Sequence, residues 1–282
     1  MSDGQKVIKY LAIAFAIFLS VNIIIGIITA IFFGIRLLDI NFKENNKTTE
    51  VVSNYEMVMS QKYEDIEKLK IEIGYSKLEI KQGEEFKVES NSKNENINIK
   101  KSSNTLTIKE ENTWNIFNDD IESHIIITVP KYYFFEKIDI EAGSSQLNIS
   151  DIQTKSFDLD VGAGNVNISN LLVIDKADID GGAGKVIINN SNLSNLDLDA
   201  GVGEFQILNS KLLENSDIDS GIGKLQITLN GSLGDYRIIP ATGIGSFTIE
   251  GNTVENNKVY GNGENKIKID EGIGKVEISF NE

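Results

Sequence analysis

The sequence predicts an all-β chain: a parallel β-solenoid of about 20-residue coils with a strand-rich N-terminal part, preceded by one transmembrane helix. Three observations carry this expectation. A Gly-x-Gly step recurs at near-equal intervals through the second half of the 282-residue chain. Between the steps, apolar and polar residues alternate with the period of two that marks a strand. Near the start, Tyr10 to Ile35 runs for 26 residues without a charge.

Residues 1–9 form an N-terminal tail carrying Lys6 and Lys9, and residues 10–35 form the transmembrane helix. About 20 apolar residues span a bilayer core, so the run is long enough to cross with some tilt. A buried globular helix would be shorter and amphipathic. A cleaved signal peptide would have an apolar core of about 7–15 residues followed by an A-x-A site. This run is longer and no such site follows, so it reads as an uncleaved, single-pass membrane anchor. Lys6 and Lys9 before it nearly balance Arg36, Lys43 and Lys47 after it, which Asp39 and Glu44 offset. The positive-inside rule therefore decides little. A short leading tail commonly stays inside, which puts the C-terminal domain outside the cell membrane. Residues 36–65 are polar, lack a sustained period and read as a juxtamembrane linker.

Residues 66–135 are the strand-rich N-terminal part of the β domain, with LKIEIGYSKLEIK, TLTIKE and HIIITVP as alternating runs and Pro130 ending the last. Residues 136–282 are the repeats: IDIEAGSSQLNIS, FDLDVGAGNVNIS, ADIDGGAGKVIIN, LDLDAGVGEFQIL, SDIDSGIGKLQIT, RIIPATGIGSFTIE and IKIDEGIGKVEIS. The leading glycines are Gly143, Gly162, Gly182, Gly201, Gly221, Gly243 and Gly272, at intervals of 19, 20, 19, 20, 22 and 29. A single unit cannot bury its apolar side chains. Stacked, the units build interior ladders: Leu159, Ile179, Leu198 and Ile218; Val166, Val186, Phe205 and Leu225; Ile168, Ile188, Ile207 and Ile227. The IEIGYSKLEIK stretch around Gly74 is a degenerate copy.

Parity locates the corners. Leu159 and Val161 share one parity and Val166 and Ile168 the other, so one residue is absorbed between them. Gly164 sits there, as do Gly184, Gly203, Gly223, Gly245 and Gly274 in other coils, because glycine accepts a positive φ or a bulge. A second turn falls at Asn170, Asn190–Ser191 and Asn209–Ser210, where Asn tolerates left-handed geometry and can stack in ladders.

Composition closes several classes. A net charge of −15 argues against a nucleic-acid partner, which would select a basic stripe. The absence of cysteine removes disulfides, zinc–thiolate sites and thiol catalysis, and one histidine, His124, removes multi-His metal sites. No cofactor is expected. Lys outnumbers Arg 25 to 2 and Asn occurs 30 times, a bias that AT-rich bacterial codons produce.

One membrane helix, a strand-rich opening, an apolar strand ending in Val-Pro (Ile125 to Pro130) and repeated φ-x-φ-x-x-G-x-G-x-φ-x-I units together resemble a known group. The chain is similar, over about residues 66–282, to the bacterial "putative adhesin" family of membrane-anchored β-strand-repeat proteins, a domain of unknown function. The resemblance implies an envelope location and association with envelope-stress operons. It implies no catalytic residues.

The most conspicuous polar feature is the Asp-x-Asp pair: Asp158/Asp160, Asp178/Asp180, Asp197/Asp199 and Asp217/Asp219. Stacking builds two carboxylate ladders about 5 Å apart in step. One reading is Ca²⁺ or Mg²⁺ along the ladder, since hard cations prefer carboxylate oxygens. The other, which the sequence favours, is a solvated acidic face with no metal. Glycan cleavage needs one singular acid pair in a cleft. Repeated pairs do not supply that, and the non-repeated Asp119–Asp120 beside Trp114 and Phe117 is the remaining candidate. Gly-x-Gly-Lys at Lys185, Lys224 and Lys275 leads into strands, unlike a phosphate loop, which opens a helix.

The expectation is a non-enzymatic binding or scaffold protein of the cell envelope, with a cell-wall polymer or envelope protein as partner. A regulatory envelope-stress protein acting through a membrane partner is the first alternative, with Asn22, Gly26 and Ala30 as a helix-packing face. A glycan-active enzyme is the second. The last repeat lies near the C-terminus with no cap after it, so self-association through the C-terminal coil is also expected.

Overall fold

Alternating burial runs through the long elements, because one face of each strand meets the interior and the other meets water. The computed structural model describes residues 57–91, 97–110 and 123–281. The transmembrane segment 10–35, and Trp114, Phe117, Asp119 and Asp120, lie outside the described residues. No helix among the described residues is long and apolar enough to cross a membrane. Those residues belong to the unit Asn54–Glu282, which is nearly all β.

The opening strands are β1 (Met59–Lys62), β2 (Lys68–Ile73), β3 (Lys77–Gly83), β4 (Lys87–Ser90), β5 (Ile97–Ser102), β6 (Thr105–Glu110) and β7 (His124–Pro130). Long bent strands follow: β8 (Phe134–Ser150), β9 (Gln153–Ser169) and β10 (Leu172–Asn189). The next coil is split into β11 (Asn192–Ser194), β12 (Leu196–Asp199) and the start of β13 (Val202–Leu213). After β14 (Asn215–Asn230) come β15 (Tyr236–Ala241), β16 (Ile244–Ile249), β17 (Asn252–Thr253) and β18 (Asn265–Asn281).

Consecutive coils pair in parallel and in register. Leu159 lies opposite Ile179, Ile179 opposite Leu198, and Leu198 opposite Ile218. Val166, Val186, Phe205 and Leu225 align in a second row, and Ile168, Ile188, Ile207 and Ile227 in a third. All twelve are buried. Each such aliphatic side chain contributes about 1.5–3 kcal/mol relative to exposure, which is why the ladders, rather than surface contacts, hold the stack. A third, shorter wall completes the coil: Phe135, Thr154, Val173, Leu193 and Leu212 are successive register partners, all buried. The Thr154 hydroxyl reaches the carbonyls of Phe135 at 3.2 Å and Ser156 at 2.8 Å, which satisfies it inside the core.

Three corners join the walls. At the first, Gly164, Gly184, Gly203, Gly223, Gly245 and Gly274 have φ between 133° and 150°. At the second, Asp151, Asn170, Asn190 and Asn209 are left-handed, with φ of 48–59°. Their side chains form a ladder: Asn170 Nδ2 donates to Asp151 Oδ1 at 2.8 Å, and Asn190 Nδ2 to Asn170 Oδ1 at 2.5 Å. The third corner has left-handed Asn195 and Glu214, and a register shift between Val173 and Lys176.

Spatial order departs from sequence order at both ends. The β2–β3 coil pairs with β8 on one side and with β6 and β7 on the other. Antiparallel β4 and β5 then cover β7 and β6. At the far end β18 lies between β14 and the β15–β16 coil, parallel to all three. The expected open C-terminal edge is thus corrected: the C-terminal coil is an inner layer, and β15–β16 is the outer one. The 250–264 insertion gives the chain the length to double back. The outer layer is itself protected. Pro240 offers no N–H, Asn257 N donates to Pro240 O at 2.8 Å, and Tyr260 bridges Ile238. Strand β18 is therefore paired along both of its edges.

Candidate functional site: the carboxylate columns and the first corner

Outward positions on the wall before the first corner align as two columns. The outer column reads Asp139, Asp158, Asp178, Asp197 and Asp217, then ends at Lys268. The inner column, beside the corner, reads Glu72, Glu141, Asp160, Asp180, Asp199, Asp219 and Asp270. Like charges in adjacent strands repel unless something screens them.

The outer column is screened by lysines on the same wall. Lys137 Nζ lies 3.1 Å from Asp139 and 3.3 Å from Asp158. Lys176 bridges Asp178 at 2.6 Å and Asp197 at 3.4 Å. Lys268 reaches Asp217 at 3.5 Å and also pairs with Asp270. These bridging lysines precede an aspartate by two residues, at Lys137-Ile138-Asp139 and Lys176-Ala177-Asp178, a pattern visible in sequence but not read there. They are solvent-exposed pairs and individually worth about 0–1 kcal/mol.

The inner column is bare at its centre. Asp160, Asp180, Asp199 and Asp219 have no lysine or arginine in ion-pairing range among the described residues. Partial burial, then the neighbouring carboxylates led by Asp178, pushes the Asp180 pKa above its ordinary value. Burial, then Asp270 and Asp217, does the same for Asp219. Asp199 Oδ1 accepts the Gly201 N–H at 3.0 Å. Among the described residues no three His, Asp or Glu side chains converge to hold a metal ion. The carboxylates form a line, whereas a calcium site needs six or more oxygens around one point.

The first corner holds the columns in register. A Cβ on Gly162, Gly182, Gly201, Gly221, Gly243 or Gly272 would lie 3.0 Å or less from a carbonyl oxygen of the adjacent coil. The same is true of the second glycine of each step, with positive φ added. Lys185 and Lys275 follow these glycines in strands and pair with Glu204 at 3.0 Å and Glu277 at 2.7 Å. Ser145 donates its hydroxyl to Gly74 O at 3.3 Å, and Glu110 Oε2 accepts the Gly74 N–H at 2.6 Å. His124 lies on β7 with Nε2 3.9 Å from Glu79.

Sequence reasoning missed two further features. Glu271 occupies an inward position that Val161, Gly181, Ala200 and Ser220 fill in other coils, and burial raises its pKa while the Gly243 N–H opposes the shift. Alignment of the repeats alone would have flagged this acid. A cavity of about 510 Å³ opens where the third wall stops, lined by Lys211, Leu213, Asn230, Asp235, Tyr236 and Asn265. Its polar side chains are largely committed to backbone: Tyr236 Oη donates to Asn230 O at 2.8 Å and Asn265 Nδ2 to Asp235 O at 3.1 Å. Burial pushes the Tyr236 pKa up to about 12.

Residues 66–279 match the family model described as Toastrack DUF4097, which spans the whole stack from β2 to β18. The chain belongs to the Toastrack DUF4097 family. The Toastrack assignment fits a domain of unknown function, as the repeats themselves suggested. Two solved structures are similar to this Toastrack chain. A "putative cell adhesion protein" from Clostridium sporogenes is 19% identical, covering 79% of this chain and 98% of that one, with a TM-score of 0.42. A "putative adhesin" from Bacteroides fragilis is 14% identical, covering 79% and 97%, with a TM-score of 0.49. No curated protein matches the chain.

Proposed function

We propose that this chain is a membrane-anchored cell-envelope protein whose Toastrack domain is a non-enzymatic binding or scaffold surface facing outward. The observation that supports this most is repetition. The same carboxylate pair recurs in coil after coil on an open wall. Catalysis concentrates perturbed groups at one point in a cleft, whereas a binding surface extends one chemistry along its length. The bare centre of the inner column gives that surface its charge. It suits a polymer or protein that offers cationic groups at matching intervals. The uncharged run from Tyr10 to Ile35 supplies the anchor in this reading.

The test has two arms. In intact cells carrying a C-terminally tagged full chain, external protease should remove the tag; a tag cut only after lysis overturns the outward address. In retention on isolated cell walls, the combined Asp160→Asn, Asp180→Asn, Asp199→Asn and Asp219→Asn variant should bind severalfold less than the parent. Unchanged retention rejects the inner column as the binding surface, and turnover of wall polysaccharide by the parent rejects the non-enzymatic reading.

A further inference from the structure

The residue between the two corner glycines changes steadily along the stack. In spatial order it is Ser144, Ala163, Ala183, Val202, Ile222, Ile273 and finally Ile244, each the register partner of the next. The two glycines hold this residue on the outside of the turn, so its side chain cannot reach the core. Val202, Ile222, Ile273 and Ile244 are 41%, 42%, 49% and 72% exposed. Four large β-branched side chains thus make one continuous apolar ridge toward the β15–β16 end, at the strand spacing of about 4.8 Å. Scattered exposed hydrophobics need no explanation, but aligned ones do.

We infer that this ridge is a self-association surface, on which a second copy of the chain packs ridge to ridge with its coils stacked in the same direction. Charge complementarity selects both the occupant and the direction. On one flank of the ridge stands the inner carboxylate column, here Asp180, Asp219 and Asp270. On the other stand Lys224 and Lys275, two residues beyond Ile222 and Ile273, and Lys185 beyond Ala183; Glu204 and Ser246 take this place beside Val202 and Ile244. A two-fold axis along the stacking direction places the acidic flank of each copy against the lysine flank of the other at the Ala183, Ile222 and Ile273 levels, while the Ile244 level, with Ala241 and Ser246, is uncharged. Asp219 then faces Lys224, and Asp270 faces Lys275. One level, Asp199 against Glu204, is repulsive. An antiparallel pairing would set carboxylate column against carboxylate column along its whole length. An anionic lipid surface would meet the same carboxylates and be repelled.

Four side chains bury far less than the roughly 800 Å² per partner of a standard interface. The association is therefore weak and reversible, and local concentration governs it. The inference goes beyond the binding reading above and is tested without any wall polymer, so either can fail alone.

The chain contains no cysteine, so a single introduced thiol reports on one position. Full chain in mild detergent, carrying Ile222→Cys or independently Ile273→Cys, is exposed to an oxidant and scored for disulfide dimers. Ile174→Cys, 53% exposed near the third corner, is the control. Both ridge variants should cross-link about tenfold faster than the control, because pairing raises the local thiol concentration. Adding Ile244→Ser should remove that advantage while the circular-dichroism melt stays unchanged. Ridge rates no faster than the control overturn the inference. So does preferential cross-linking of Val202→Cys to Ile244→Cys in a mixture of the two, which would signify antiparallel pairing.

Discussion

Alanine at Gly223 asks whether the corners, as well as the core ladders, set the stability of the stack. Gly223 has a φ of 140°. Residues with side chains rarely adopt that conformation, and the strain costs about 1–3 kcal/mol. The new methyl would also approach the Gly203 carbonyl of the neighbouring coil closer than any real Cβ does. Relief requires two hydrogen-bonded coils to separate, and overpacking of this kind costs about 1–3 kcal/mol. The sum is about 4 kcal/mol, the middle of the combined range. Gly251→Ala is the matched control: its φ is 71° and nothing lies within 4 Å of the added Cβ. Only left-handed strain remains there, about 1 kcal/mol. In a domain of this size each kcal/mol moves Tm by roughly 2–4 °C. Circular-dichroism melts should therefore place Gly223→Ala about 8–16 °C below the parent and Gly251→Ala about 2–4 °C below it. Equal losses, or a Gly223→Ala melt within about 4 °C of the parent, would refute the steric argument.

Three further outcomes are expected. Glu271, Asp180 and Asp219 have pKa values raised first by burial, so the folded state holds their protons more tightly than the unfolded state. Stability should then rise as pH drops from neutral toward about 4, the unfolded carboxylate value. It falls at lower pH, where Glu72 and Glu277, held down by hydrogen bonds from Lys109 and Lys275, become protonated. Glu271→Gln should flatten the rise, and an unchanged Tm–pH slope would count against it. At the second corner, Asn170→Ala loses both ladder hydrogen bonds and gains left-handed strain, about 2 kcal/mol together. Asn170→Gly keeps the backbone relaxed and should lose only about half of that in urea unfolding; equal losses would deny the backbone share. Deleting residues 265–282 removes the inner partner of β15–β16, so limited proteolysis should cut within 215–264 while β8–β10 stay protected. Uniform protection would contradict the layer order.

The interior ladders were legible because period two and the Gly-x-Gly step are local signals repeated many times. Leu159, Ile179, Leu198 and Ile218 could be aligned with no knowledge of the third dimension. The second corner was legible for a related reason, since Asn marks left-handed turns in Asn170, Asn190 and Asn209 alike. The third wall was not. Its strands are as short as Leu172–Val173 and Asn192–Ser194, too brief to show a period, and Glu214 is an uncommon residue for a left-handed turn. The order of layers at the ends was hidden because parallel strands of near-identical sequence can be stacked in any order. Only loop length distinguishes the possibilities, and the 29-residue interval before Gly272 was its single trace. At the columns, the carboxylates were evident, but the split between a lysine-screened row and a bare row depends on which side chains reach across coils.

The late filling of the β18 slot gives the molecule a hazard during its own synthesis. Strand β14 is made first, and β15–β16 ladders onto the stack only through β18. Until β18 arrives, the edge of β14 is unpaired and accepts any segment with the same spacing of isoleucine and glycine. The chain's own β18 segment is tethered through residues 231–264 and so reaches that edge at a high effective concentration. A neighbouring molecule competes only when chains are crowded. Refolding from denaturant at high concentration should therefore trap interlocked dimers that share β18 and persist on dilution. Emergence one chain at a time favours the closed monomer.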